Sequence, residues 1–409
     1  MARNFGYMIW DTLYAVDQSL TPQPQMCEGH ELSADKLTWR FKLRDGLRFH
    51  DGAPVRAADC TASITRWMKR DGFGQRIDAA LAELRAIDDR SFEFQLKRPF
   101  PLLLSGLAHP VANVCFIMPE RIAQTDPYQQ IKEYIGSGPT VDLLPLLRKA
   151  RNVVVERLDD YGNIGVMRFN MLHPPFDNVK LRRAMLPAIN QVDFMDAAIG
   201  GDLELSRTGV GVFTPGTPLA NTAGLETLTG PRDLALAKRL VAESGYNGER
   251  VVFLAPTDYP ILNAECLVAS DMLRKVGLNI DYQASDWGTM ITRRNNRDTI
   301  DKGGWSAFCT AWEALNLVDP GSHYPIFGTG LKGWFGWMDS PRLEELRTAW
   351  FEAPDLAAQK SVAEQIQRTV WEEVPYYPLG QYFQPIARRS NVSDIVRSPF
   401  PLFWNVRKA

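Results

Sequence analysis

Strict alternation is the first order visible along the chain. Leu37, Trp39, Phe41 and Leu43 point one way, and Thr38, Arg40, Lys42 and Arg44 the other. A period of two predicts a strand with one buried and one wet face. Asp45-Gly46 and Asp51-Gly52 predict two turns. After Pro54 the apolar residues Ala57, Cys60, Ile64 and Trp67 fall at helical spacing. Phe92, Phe94 and Leu96 alternate with Glu93, Gln95 and Lys97, a second half-buried strand.

The pattern changes further on. Val153 to Arg157 and Gly165 to Asn170 read as strands rich in β-branched or apolar residues. Val251 to Leu254 is a continuous apolar run, as in a strand covered on both faces. It lies between two predicted helices. Asp233 to Ser244 carries Leu234, Ala237, Leu240 and Val241 on one face and stops at Gly245; Asn263 to Val276 stops at Gly277. Leu278 to Tyr282 is the next strand. Ser340-Pro341 and Pro354-Asp355 start helices over 341–351 and 355–373. Strand-helix alternation predicts α/β architecture.

Composition adds mainly exclusions. The 409 residues allow two or three domains. A net charge of -2 gives no basic excess for nucleic acid or an anionic membrane. The least polar run, Pro101 to Met118, is broken by His109 and Pro110, so no membrane span is predicted. Five scattered cysteines, none in C-x-x-C spacing, indicate neither a zinc site nor a disulfide framework. His30, His50, His109, His173 and His323 are too dispersed for a local metal motif, and His50 reads as structural. There is no nucleophile elbow, P-loop or G-x-G-x-x-G. An enzyme is not expected, and neither is a cofactor or a metal.

The stretch from Phe41 to Asp59, F-x-L-R-x-G-x-x-F-H-D-G-x-P-x-x-A-x-D, resembles the signature of extracytoplasmic solute-binding proteins of the dipeptide/oligopeptide/nickel family, the capture components of ABC importers. Pro175 to Ala184, PFDNVKLRRA, resembles a second family motif, and Gly136-Ser137-Gly138-Pro139 a third. The resemblance implies an α/β, two-lobed periplasmic-binding-protein fold (type II, Venus-flytrap) with mixed sheets. It places a first lobe at 1–172, with 377–409 returning to it, a second lobe at 173–376, and a ligand cleft and hinge between them. After Gly138 the chain passes directly to Thr140-Val141-Asp142, so a block present in relatives is expected to be missing and the first lobe shortened. The N-terminal MARNFGYMIWDTLY has no apolar h-region or cleavage site; beside the resemblance, it implies a mature or truncated chain.

The function implied is capture of a small polar or amphipathic solute, peptide-like or other, for an ABC importer. The alternative is the same fold acting as a ligand sensor, an interaction module or a non-transporting product. The partners implied are a small-molecule ligand and ABC permease subunits, with no nucleic acid; the chain is expected to be a periplasmic monomer, peripheral to the membrane only through the transporter. Aromatic residues crowd the second half, and rings on loops suit a small-molecule cleft. Trp287, Trp334 and Trp337 are candidates on this ground. Trp305 to Glu313 matches the place where peptide-binding relatives carry W-x-x-D-Y, whose aspartate holds the peptide amine. No aspartate stands here, so Cys309, Thr310, Trp312 and Glu313 are candidate ligand contacts, with Glu313 pairing a cationic group. Gln381 and Tyr382 of the tail, and Tyr7 and Trp10 of the start, complete the expected ligand-binding set.

Overall fold

The structure, a computed structural model, describes residues 10–17, 20–49, 53–110, 113–128, 153–398 and 406–408. His50, the Asp51-Gly52 turn, Tyr7 and the Gly136–Pro139 motif lie outside the described residues. Two compact units divide the chain, Met1–Thr140 with Arg389–Ala409, and Val141–Arg388.

The smaller unit is built on a four-stranded antiparallel sheet of β1 (Cys27–Leu32), β2 (Thr38–Leu43), β3 (Leu81–Ala86) and β4 (Ser91–Leu96), in the order β1-β2-β4-β3. Alternation works as expected: Trp39, Phe41 and Leu43 are buried, and Arg40, Lys42 and Arg44 are exposed. Phe41 stacks on Phe92 across the strand pair, ring centroids 5.2 Å apart. Helix α1 (Ala57–Arg70) buries Ala57, Cys60, Ile64 and Trp67, the predicted face. Asp59 explains why the signature ends on an aspartate. One carboxylate oxygen accepts from the Arg56 backbone N–H at 2.8 Å, closing the helix start, and the other accepts from the Glu120 N–H at 2.7 Å.

The larger unit holds a mixed six-stranded sheet. Its elements are β5 (Val153–Glu156), β6 (Asn163–Phe169), α2 (Val179–Ala184), α3 (Gln191–Ile199), β7 (Ser206–Arg207), α4 (Leu234–Glu243), β8 (Arg250–Pro256), α5 (Pro260–Lys275), β9 (Asn279–Ser285), α6 (Trp287–Arg293), β10 (Ala307–Glu313), α7 (Pro341–Glu352), α8 (Leu356–Glu373) and β11 (Tyr376–Tyr382). The sheet order is β9-β8-β10-β6-β11-β7. Strands β8, β9 and β10 are parallel, and β6 pairs antiparallel with both β10 and β11. The C-terminal ends of β8, β9, β10 and β11 therefore share one edge, the edge at which α/β sheets bind ligands.

Several boundaries differ from expectation. The expected lobe division at 172/173 falls just after β6 and that at 376/377 inside β11, both strands of this one sheet, whereas the units part at 140/141 and 388/389. Strand β11, nearly all of it within the segment 377–409 expected to return to the first lobe, pairs with β6 and β7. Helix α5 begins at Pro260 rather than Asn263, because a proline at the first turn gives up no needed N–H. On α4 only Ala237 and Val241 of the predicted face are buried.

The second motif acts through Arg182. Its buried guanidinium donates to the carbonyls of Phe176, Glu373 (2.7 Å) and Val374 (3.0 Å), satisfying the otherwise unpaired C-terminal end of α8. Among the described residues no helix is long and apolar enough to cross a membrane.

Candidate solute-binding site

Period two divides the predicted residues of β10 between the faces of the sheet. Trp312 lies opposite Ile164, which in turn faces Gln381, and Thr310 and Phe308 share that face. Glu313 lies opposite Asn163, which pairs with Tyr382, and Cys309 shares the opposite face. Residues adjacent in sequence therefore enter different environments.

The Trp312 face is aromatic. Trp312 stacks on Tyr324 with centroids 5.9 Å apart and meets Trp334 edge-on at 5.2 Å; Trp334 meets Phe308 edge-on at 5.9 Å. The loop carrying Trp334 is shaped by Gly336, with φ +95°, where an added Cβ would sit 2.2 Å from the Phe169 carbonyl oxygen. Trp337 follows, itself with φ +48°, and packs at 5.8 Å from Trp305 in a core with Val252, Leu254, Met290 and Phe308. Trp337 is thus a core residue that anchors the loop, while Trp334 is half-buried.

Two arginines hold this assembly. The Arg168 guanidinium, fully buried, donates to the carbonyls of Phe335 and Pro325, both at 2.7 Å, and lies 5.1 Å over Trp334. Burial pushes its pKa down to about 9, with Arg182 adding to the effect. Arg294 lies 4.4 Å over Phe335 and 5.8 Å from Trp287 and from Phe308, with its pKa brought down to about 10 by burial.

The other face carries the carboxyls. Helices α3 and α5 pack there, and Gly165 leaves room for Glu265 of α5: a Cβ at 165 would sit 2.1 Å from Oε1 of Glu265. Glu265 is completely buried, neither carboxyl oxygen has a hydrogen-bond partner among the described residues, and burial raises its pKa well above the carboxylate range. Glu313 is half-buried at the strand end, where Oε2 accepts from Nδ2 of Asn316 at 2.9 Å. Burial, with the Glu313 charge second, raises the Tyr259 phenol above its usual range.

The predicted residues therefore separate into three groups. Trp312, Glu313, Trp334 and Trp287 are half-buried in the larger unit, at or beside its C-terminal sheet edge. Cys309, Thr310, Gln381, Tyr382 and Trp337 are buried behind them. Gln381 donates from Nε2 to the Tyr161 carbonyl at 2.5 Å, and burial pushes the Cys309 thiol upward. Trp10 belongs to the smaller unit, 6.2 Å from Phe116.

Sequence reasoning missed Tyr259, which lies just past β8 with its ring 6.0 Å from Trp287. Its signal was the Asp258-Tyr259-Pro260 start of a helix straight after an apolar strand. The Trp287 N–H donates to Asp258 at 2.7 Å, joining the two loops. All five cysteines are free and buried.

Comparison with known proteins places this arrangement. The profile of the bacterial extracellular solute-binding proteins, family 5 (middle region), matches residues 21–141 and 132–334. The "probable peptide ABC transporter periplasmic-binding protein" of Sinorhizobium fredii is 30% identical, with 100% of this chain and 90% of the relative covered. That alignment runs 480 positions against 409 residues, so at least 71 positions of the relative have no counterpart here. The glutathione-binding protein of Shigella dysenteriae is 22% identical over 90% of this chain and 82% of its own. Among solved structures, the dipeptide-binding protein of Pseudoalteromonas sp. SM9913 in complex with Met-Leu superposes with a TM-score of 0.76 at 19% identity, covering 98% of this chain and 94% of its own. The fold is that of the two-lobed periplasmic binding proteins. With the signature at Phe41–Asp59 and the edge geometry of the larger sheet, these matches show that the chain belongs to the family 5 bacterial extracellular solute-binding proteins, which capture solutes for ABC importers.

Proposed function

We propose that the chain captures a peptide-like or other small amphipathic solute against the C-terminal edge of the larger unit's sheet and delivers it in the periplasm to ABC permease subunits. Trp312, Trp334 and Trp287 form the apolar wall, and Glu313 pairs a cationic group of the solute. The observation that carries this reading is the strand end itself. There half-buried rings on one face of the sheet and a half-buried carboxylate on the other reach the same strand end on rigid backbone, and a solute lying across that edge meets both. The 30% identical relative bears the name of a probable peptide ABC transporter periplasmic-binding protein, which favours a peptide-like ligand. No covalent chemistry is involved; affinity comes from ring contacts, backbone polar groups and displaced water.

Calorimetry with a tripeptide selected by thermal shift, and with its N-acetylated form, tests the role of Glu313. Acetylation is expected to weaken binding to the wild type at least tenfold, about 1.4 kcal/mol, and to change nothing in Glu313→Gln. Equal affinity of wild type and Glu313→Gln for every solute that binds would sink the assignment.

A further inference from the structure

Away from the aromatic wall, a cavity of about 530 Å³ opens beside Phe383, just past the end of β11. Leu205 and Phe383 form its apolar floor, both buried, and their backbones are joined by the Phe383 N–H donating to the Leu205 carbonyl at 2.8 Å. Arg157 and Arg207 line it from different segments and converge on one ring. The Arg157 guanidinium lies 4.4 Å and that of Arg207 5.8 Å from the Phe383 centroid, so the two charges are within about 10 Å of each other by geometry alone.

Among the described residues Arg207 has no carboxylate partner, and Arg157 has one, Asp160, in a long ion pair. Arg207 donates from Nη1 to the Pro215 carbonyl at 3.3 Å. Arg157 donates to the Glu204 carbonyl at 3.2 Å and reaches Asp160 only at 3.5 Å. Two acidic residues line the cavity. Glu156 is held by Nε of Arg388 at 2.5 Å, and Glu204 is exposed. The fork of an arginine matches the plane of a carboxylate, and two such forks over one apolar floor match a carbon chain with an acid at each end.

We propose that this cavity is a binding site for a short dicarboxylate, each acid group taken by one of Arg157 and Arg207 and the carbon chain lying against Phe383. Cross-strand register places it apart from the aromatic wall. Arg207 on β7 pairs with Gln381, which faces Ile164, which faces Trp312; three strand spacings separate the ends of that row, roughly 14 Å. The site does not depend on the solute assigned to the wall.

Equilibrium dialysis with glutarate, with glutaramide as the uncharged control, tests it at fixed ionic strength. The wild type is expected to bind glutarate and not glutaramide, and the double variant Arg157→Gln/Arg207→Gln to lose at least tenfold in glutarate affinity with an unchanged circular dichroism spectrum. Arg232→Gln, which removes an arginine paired with Asp193 elsewhere on the surface, is expected to leave binding intact, as is Trp312→Ala. No glutarate binding, equal binding of glutaramide, or equal affinity in the double variant would overturn the proposal. So would an equal loss in Arg232→Gln, which would mark adventitious charge attraction. A loss in Trp312→Ala would place the dicarboxylate on the aromatic wall and overturn the separate site, leaving the function proposed for that wall standing.

Discussion

Among the described residues each unit buries one glutamate against its sheet, and the two have opposite fates. Glu93 on β4 is 2% exposed, but Arg85 donates to it at 2.6 Å and Arg40 at 3.0 Å, and these contacts hold its pKa below the usual value. Glu265, on α5, is buried with no hydrogen-bond partner among the described residues, and burial drives its pKa up. The architecture supplies the difference. An antiparallel sheet with one wet face sets long cationic side chains on the neighbouring strands, where Arg40 and Arg85 both pair with Glu93 in register. The Glu265 face is covered by helices and meets Gly165, which offers space but no charge. Two arginines favour the charged form of one glutamate, and burial disfavours that of the other.

The largest expected effect follows from Glu265. A carboxyl with a raised folded pKa contributes stability that is present below its unfolded pKa and is lost as pH rises toward the folded value, at up to about 1.4 kcal/mol per pH unit. Glu265→Gln cannot ionise. It is expected to match the wild type near pH 4 and to exceed it in melting temperature by a margin that grows toward pH 8. Parallel pH curves for the two proteins would mean that Glu265 is charged or solvated, and the contrast between the units would fail.

Glu93 gives the opposite arm. Its folded pKa is depressed, so its contribution is present above the unfolded value and is lost as pH falls through the folded one. Replacing both Arg40 and Arg85 by Met leaves Glu93 buried without its charge partners and is expected to cost about 3 kcal/mol in the smaller unit at pH 7. Chemical denaturation followed by hydrogen exchange in β2 and β4 measures it. The smallest effect belongs to Gly165→Ala, about 1–3 kcal/mol, because the new Cβ must displace the Glu265 carboxyl. A neutral outcome there would show that the carboxyl has other room.

The two units were also unequally legible. Alternation from Leu37 to Arg44 gave the strand, its buried face and, through the motif it opens, the family. The mixed sheet was harder to read. The run Val251–Leu254 indicated a strand covered on both faces, but nothing local showed that β6 and β11, far apart in sequence, would pair beside β10. Register also escaped the sequence. Trp312 and Glu313 are neighbours in the chain and stand on opposite faces, so the rings and the carboxylate reach the strand end from different sides, which spacing alone did not show. Trp337 looked like a loop residue because of its glycines, yet those glycines are what turn its ring into the core. Arg168 and Glu265 gave no signal, because their roles arise from carbonyls and a glycine brought together only by the fold.

The central claim is that solute is captured at the C-terminal edge of the larger unit's sheet while the signature strand of the smaller unit is scaffold. Hydrogen-exchange mass spectrometry with and without a saturating tripeptide tests it most directly. Slower exchange is predicted over 257–260, 286–288, 313–317 and 333–337, with Thr38–Leu43 unchanged. Protection confined to Thr38–Leu43 and its neighbouring strands, with those four loops unaffected, would contradict it.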